Sequence, residues 1–143
     1  MSKYGAKKVV HDGIIFDSRV EGQYYLHLKE LQEKGEVTRF DLQPKFTLLG
    51  GFTDDYGVKH LPVKYIADFL VYYKDGDPKV IDIKGAPLTP DFKIKRKMYA
   101  NQFPLELVLI GYSKIDGGWR LYSDIQKARK ERKKAKEAAK NGN

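Results

Sequence analysis

The chain has 143 residues, 41% hydrophobic and 13% aromatic, with no cysteine and a net charge of +8. That length suits one domain around one core, and the absence of cysteine excludes disulfides and thiolate zinc sites. No apolar run approaches the roughly 20 residues of a membrane span, and the start, Met-Ser-Lys-Tyr-Gly-Ala-Lys-Lys, lacks the apolar stretch of a signal peptide, so the expected location is cytoplasmic.

Residues Met1 to Asp17 read as a basic lead-in with a short hairpin, His11-Asp-Gly13 marking the turn before the strand Ile14-Ile15-Phe16. Ser18-Arg-Val-Glu21 is a capping box that opens a helix. Val20, Tyr24, Leu28 and Leu31 form its apolar stripe, and Lys34-Gly35 closes it. Glu21 lies at the edge of that stripe, where it can reach a site at the rim of the core. Glu36 to Phe40 and Lys45 to Phe52 read as extended, with Gln43-Pro44 between them. Gly50-Gly51 and Asp54-Asp55-Tyr56-Gly57 are loop signals, and no phosphate-loop lysine follows the glycines.

Lys64 to Tyr73 reads as one strand, Asp75-Gly76-Asp77-Pro78 as a turn and Lys79 to Lys84 as a second strand. Thr89-Pro90-Asp91 starts a helix that runs to about Gln102. Phe92, Tyr99 and Phe103 mark one of its faces, and Lys93, Lys95, Arg96 and Lys97 crowd the rest. Leu105 to Tyr112 is expected to be a central strand, Trp119 to Tyr122 another, and a final helix from about Ser123 carries a basic arm. From Gln126 to Asn143 eight basic residues stand against two acidic ones, +6 of the total charge. Such an arm is the footprint of a polyanion partner, most often nucleic acid, or else a solvated helix. The element order suggests an α/β sandwich around a mixed sheet. The division expected is a domain over residues 1–125 and a basic tail or helix over 126–143.

Chemistry is concentrated in Tyr65-Ile-Ala-Asp68-Phe and Val80-Ile-Asp82-Ile-Lys84-Gly85. Strand alternation puts Asp82 and Lys84 on one face and Ile81 and Ile83 on the other. Charges inside such apolar segments need a partner or a metal. A carboxylate on one strand and Asp-x-Lys on the next is what metal-dependent cleavage of phosphodiesters requires: the acids hold a hard divalent cation and the lysine sits beside the attacking water or the phosphate. A two-residue loop Asp75-Gly76 would put Asp68 opposite Ile83, on the wrong face. A three-residue loop Asp75-Gly76-Asp77, or an equivalent one-residue bulge between the strands, would pair Asp68 with Lys84 and leave Asp82 a diagonal neighbour, about 7–8 Å away between α-carbons. The plain alternatives are a cross-strand Asp68–Lys84 ion pair and a Glu21 that only caps its helix. His11, His27 and His60 lack metal-ligand spacing to one another, and the aromatics read mostly as core, with Tyr72, Tyr73 and Tyr99 as candidates to line a channel.

Glu21, Asp68 and Asp82-x-Lys84 together resemble the PD-(D/E)xK nuclease superfamily. The segments Phe16-Asp-Ser-Arg-Val-Glu21, Leu42-Gln-Pro-Lys-Phe46, Tyr-Ile-Ala-Asp-Phe and Ile-Asp-Ile-Lys-Gly are similar to small phage and prophage nucleases and to Holliday-junction resolvases of that fold, over about Tyr4 to Tyr112. Two departures are visible: Ala67 stands where proline is common, and the second acid is aspartate rather than glutamate.

The resemblance implies a restriction-endonuclease-like α/β core, a mixed sheet flanked by helices with a basic C-terminal helix. It implies a Mg2+-dependent endodeoxyribonuclease (Mn2+ substituting) in which Asp68, Asp82 and the Ile83 carbonyl hold the metal. In that scheme Glu21 ligates through water or holds a second ion, and Lys84 orients or helps deprotonate the attacking water. Lys93, Lys95, Arg96 and Lys97, with Lys130, Lys133 and Lys134 of the arm, are the expected DNA contacts, and Gln43 is a candidate polar group near the site. The expected partner is DNA, with branched DNA and a homodimer carried over from resolvases. The alternatives are a non-cleaving DNA-binding module that keeps the fold, and cleavage of RNA.

Overall fold

In the computed structural model, which describes residues 7–142, the chain is an α/β protein; residues 1–6 of the basic lead-in and residue 143 lie outside the described part. A hairpin of β1 (Val9–His11) and β2 (Ile14–Phe16) leads into α1 (Arg19–Glu33). Its turn, Asp12-Gly13, has φ of 51° and 76°, the left-handed pair that a two-residue hairpin needs. Ser18 caps α1 by accepting from the Glu21 N–H at 3.2 Å, as its capping box predicts. The hairpin is pinned to α1 by the Tyr25 hydroxyl, which donates to Asp12 at 2.7 Å.

Next come β3 (Val37–Leu42), β4 (Lys45–Leu49), β5 (Phe52–Thr53), β6 (Lys59–His60), β7 (Val63–Ile66), β8 (Phe69–Tyr73) and β9 (Lys79–Ile83). Then α2 (Pro90–Gln102) leads to β10 (Leu107–Ser113), a 3-10 turn at Lys114–Asp116, β11 (Gly118–Leu121) and α3 (Tyr122–Asn141). The main sheet has the order β11-β10-β9-β8-β3 and is mixed: β9 and β10 are parallel and every other neighbouring pair is antiparallel. The parallel pair follows from α2, which supplies the crossover such a connection needs. β9, rather than the expected Leu105–Tyr112 segment, is the central strand, which explains why Val80 to Ile83 are all buried.

The two faces of β9 divide the core. Ile81 and Ile83 join Phe69, Val71, Tyr24, Tyr25 and Leu28 beneath α1. Val80 joins Leu109, Leu48, Tyr65, Ala67, Phe92 and Tyr99 on the α2 side. By alternation Asp82 points to that second face. Tyr99 is buried there, its hydroxyl donating to the Leu105 carbonyl, so it belongs to the core and not to a channel. Gly111 lets β10 pass close to its neighbours: a β-carbon there would lie 3.0 Å from both the Lys84 carbonyl and Ile125. Ile125 is the buried anchor of α3, and Arg132 ties the helix back through Asp116 at 2.5 Å. Among the described residues no helix is long and apolar enough to cross a membrane.

Candidate active site

Asp68 stands at a bend. The predicted strand Lys64–Tyr73 is broken at Ala67-Asp68 into β7 and β8, which belong to different sheets. Opposite them β3 and β4 are broken at Gln43-Pro44. Leu42 pairs with Phe69 on one side of the break and Lys45 with Ile66 on the other, so the two strands bend together with no slip in register. Gln43 therefore lies opposite Asp68, its N–H donating to the Asp68 carbonyl at 2.9 Å. The bend has a local cause: Pro44 has no N–H to give, and Gln43 adopts φ 47°, unusual for a residue with a side chain. Gln43 is exposed, so it marks the bend more than it lines the site.

Asp68 and Asp82 lie side by side on neighbouring strands. Phe69 pairs with Ile81, Leu70 with Val80 and Val71 with Lys79; there the regular ladder ends, and the Asp68 N–H donates to the Ile81 carbonyl at 3.2 Å, which leaves the Asp68 carboxyl beside that of Asp82. Neither register expected from the turn holds. The Asp68 and Asp82 carboxyls do meet, but through an irregular ladder end rather than as diagonal neighbours in a regular one, and Asp68 is not paired with Lys84. The connection is longer than expected, Lys74 to Pro78.

The end of β9 completes the pair. The N–H groups of Val80 and Lys84 bond to Glu106 and Ile110 on the β10 side. Ile83, one residue out of phase, therefore turns its N–H and carbonyl towards β8. There its N–H donates to Oδ2 of Asp68 at 2.7 Å, and its carbonyl points to where the β8 ladder has ended. Asp82 is 6% exposed. Its Oδ2 accepts the Tyr65 hydroxyl and lies 3.6 Å from Nζ of Lys84. That ammonium also sits 3.6 Å from the centre of the Phe92 ring, a cation–π contact. Tyr65 and Phe92 thus hold the two polar groups of the Asp-x-Lys motif.

Charge is crowded here. The Asp68 carboxyl is held well above the usual carboxylate range, first by burial, then by its hydrogen bond with Asp82 and by the charges of Asp82 and Glu21. The Ile83 N–H acts the other way. Glu21, on the first turn of α1, is also pushed up, chiefly by burial and by Asp17, with Asp82 adding and the Ser18 hydrogen bond and Lys84 opposing. The fold therefore brings Glu21, Asp68, Asp82, Ile83 and Lys84 into one electrostatic cluster. Burial and the Asp82 charge raise Tyr65 far above its ordinary value, so its hydroxyl stays a donor.

The donor set fits a hard divalent cation. Mg2+ takes one or two carboxylates and keeps several waters. Two neighbouring aspartates and an adjacent backbone carbonyl match that, and a cation would relieve the repulsion that raises Asp68. Among the described residues no three His, Asp or Glu side chains form a ready cage, so the fit rests on the two aspartates and the Ile83 carbonyl.

The expected DNA contacts lie outside this cluster. Lys93, Arg96 and Lys97 are exposed on α2, whose Phe92 touches Lys84, while Lys95 is half-buried and paired with Asp91 at 3.7 Å. Lys130, Lys133 and Lys134 are exposed on α3. Reasoning from sequence missed Tyr65 and Phe92 as site residues. The signal for Tyr65 was its spacing: it shares strand parity with Ala67, not Asp68, and only the bend at Ala67-Asp68 lets it meet Asp82.

The chain belongs to the family described as "Protein of unknown function (DUF1064)", whose profile matches residues 1–130. No curated protein and no solved structure matches it.

Proposed function

We propose that this protein is a Mg2+-dependent endodeoxyribonuclease with a restriction-endonuclease-like core of the PD-(D/E)xK type. It would act in the cytoplasm on phage or prophage recombination intermediates, as a homodimer resembling Holliday-junction resolvases. The observation that carries the reading is the Asp68 carboxyl set against the end of β9, its Oδ2 on the Ile83 N–H beside Asp82, with Lys84 two residues beyond Asp82.

A bound magnesium ion would polarise the phosphodiester and make the attacking water more acidic. The chain does the rest. Asp68, Asp82 and the Ile83 carbonyl hold the ion, and Tyr65 keeps Asp82 in one orientation. Lys84, steadied by Phe92, sits beside the water or phosphate and offsets developing negative charge. Glu21 stands at the rim, where it ligates through water or holds a second ion. Lys93, Lys95, Arg96 and Lys97, and on α3 Lys130, Lys133 and Lys134, grip the phosphate backbone, which fixes position without reading sequence.

A second reading, a DNA-binding module that does not cut, draws support from the ion pair of Lys84 with Asp82 and the Ile83 N–H on Asp68. In that reading these charges serve only the fold. The deciding experiment is cleavage of labelled four-way junction, duplex and single-stranded DNA, with an RNA strand beside them, in Mg2+ or EDTA, by wild type and Asp82→Ala. Mg2+-dependent cutting that the variant loses supports the nuclease. Binding by both proteins without cutting in Mg2+ or Mn2+ supports the module.

A further inference from the structure

Beside Lys84 lies a half-open cleft of about 590 Å3, bounded by Ile83, Lys84, the Gly85–Leu88 loop, Thr89 and Phe92. Its volume falls in the range of small-ligand sites. Its walls are mostly apolar (Ala86, Pro87, Leu88, Phe92), and one cation, Lys84, stands at the edge shared with the carboxylates. Apolar walls, chiefly Ala86, Pro87 and Leu88, beside the Lys84 ammonium are the chemistry of a nucleotide: walls for the base, a cation for the phosphate.

Gly85 adds a second observation. Its φ is not in the left-handed region, and a β-carbon there would meet no atom within 4 Å. Neither backbone conformation nor packing demands a glycine at this point. Gly85 lines the cleft, and the space a side chain there would take is open, so a larger residue can be placed at the cleft's wall to obstruct it.

We propose that this cleft is a nucleoside subsite, taking the base next to the scissile phosphate after it has left the helical stack. The proposal rests on the nuclease reading and deepens it by naming the substrate class. A base within duplex DNA is stacked and paired, and extruding it costs free energy that an unpaired position does not demand. The preferred substrate is then DNA unpaired at the step to be cut: a single strand, a flap or the branch point of a junction.

The test compares two substrates and two proteins. Once the cut site on an unpaired substrate is mapped, the nucleotide flanking it is replaced by an abasic residue. Wild type is expected to lose tenfold or more in kcat/KM on the abasic strand and to cut a fully paired version at least tenfold more slowly. Gly85→Leu, which places a large side chain at the cleft's wall without a steric clash at its β-carbon, should be slow on the normal strand and indifferent to the missing base. Its Mg2+ requirement should stay that of wild type, which shows the neighbouring carboxylates undisturbed. Equal cutting of normal and abasic strands by wild type overturns the subsite and leaves the nuclease standing. Should wild type cut no DNA at all, the nuclease reading fails. The subsite is then decided by gel-shift affinity in Ca2+, where equal binding of normal and abasic strands, or no binding, overturns it.

Discussion

The Tyr65 hydroxyl donates to Oδ2 of Asp82, with both side chains buried. The tyrosine comes from β7, which lies outside the main sheet, and its ring is packed among Phe46, Phe92 and Tyr99. One aspartate oxygen is thereby committed and the carboxylate plane is set before any ligand arrives. Partners of this kind commonly govern metal affinity about 10–100-fold.

Tyr65→Phe keeps the ring and removes the hydroxyl. The expected outcome is a folded protein whose Mg2+ concentration for half-maximal cleavage rises about tenfold, with the rate at saturating Mg2+ changed much less. A metal titration of both proteins on one DNA substrate checks it. An unchanged midpoint would show that Tyr65 serves only packing.

Asp68 should cost the metal-free protein stability at neutral pH. Its carboxyl is raised in the folded state by burial, by its hydrogen bond with Asp82 and by the charges of Asp82 and Glu21. The folded state therefore holds the proton more tightly than the unfolded chain. Its contribution is fully present below the unfolded value near 3.8 and is lost as pH rises towards the folded value. Asp68→Asn supplies a neutral group that can still accept from Ile83 and can donate to Asp82. In EDTA it should stabilise the protein by about 2 kcal/mol at pH 8 and by little at pH 4, while abolishing cleavage. Thermal melts at the two pH values read this directly, and a gain of equal size at both would contradict it.

Lys84→Gln removes the charge held between Asp82 and Phe92 and leaves a side chain of similar length. Cleavage should fall by about 10²–10⁴-fold, the usual worth of a positioned proton-transfer group, with DNA affinity in Ca2+ falling far less. Single-turnover rates beside gel-shift affinities separate the two effects. Parallel losses in both would make Lys84 a DNA contact and not a group that acts on the water.

The basic residues of α2 and α3 should act through counterion release. Changing Lys93 and Lys97, or Lys130, Lys133 and Lys134, to alanine is expected to weaken binding evenly across DNA sequences. Each residue that touches a phosphate should lower the slope of log affinity against log salt by about 1. Lys95, already paired with Asp91, should matter least. A salt series with each variant gives the slopes, and an α3 triple variant that binds like wild type would make the arm a solvated helix.

Much of the local structure was legible in the chain. Ser18 with Glu21, Thr89 with Pro90 and the Asp12-Gly13 turn announce their elements, because caps and tight turns depend on residues within a few positions of each other. The shared face of Asp82 and Lys84 also followed, since alternation is a local property of a strand. The meeting of Asp68 with Asp82 did not, because it depends on where the ladder between β8 and β9 closes. The regular ladder ends with Phe69 and Ile81, and the Asp68 N–H turns to the Ile81 carbonyl beyond it.

The two aspartates, the lysine two residues on and the glutamate that opens α1 are determined by sequence, as is the element that carries each of them. The tertiary structure decided that the Asp68 and Asp82 carboxyls meet, that Gln43-Pro44 bends the strand pair at Asp68, and that Tyr65 folds over to hold Asp82. The difference is physical: side-chain alternation and capping act over a few residues along one strand or helix, whereas register, bend and cover arise from hydrogen bonds and packing between segments far apart in the chain.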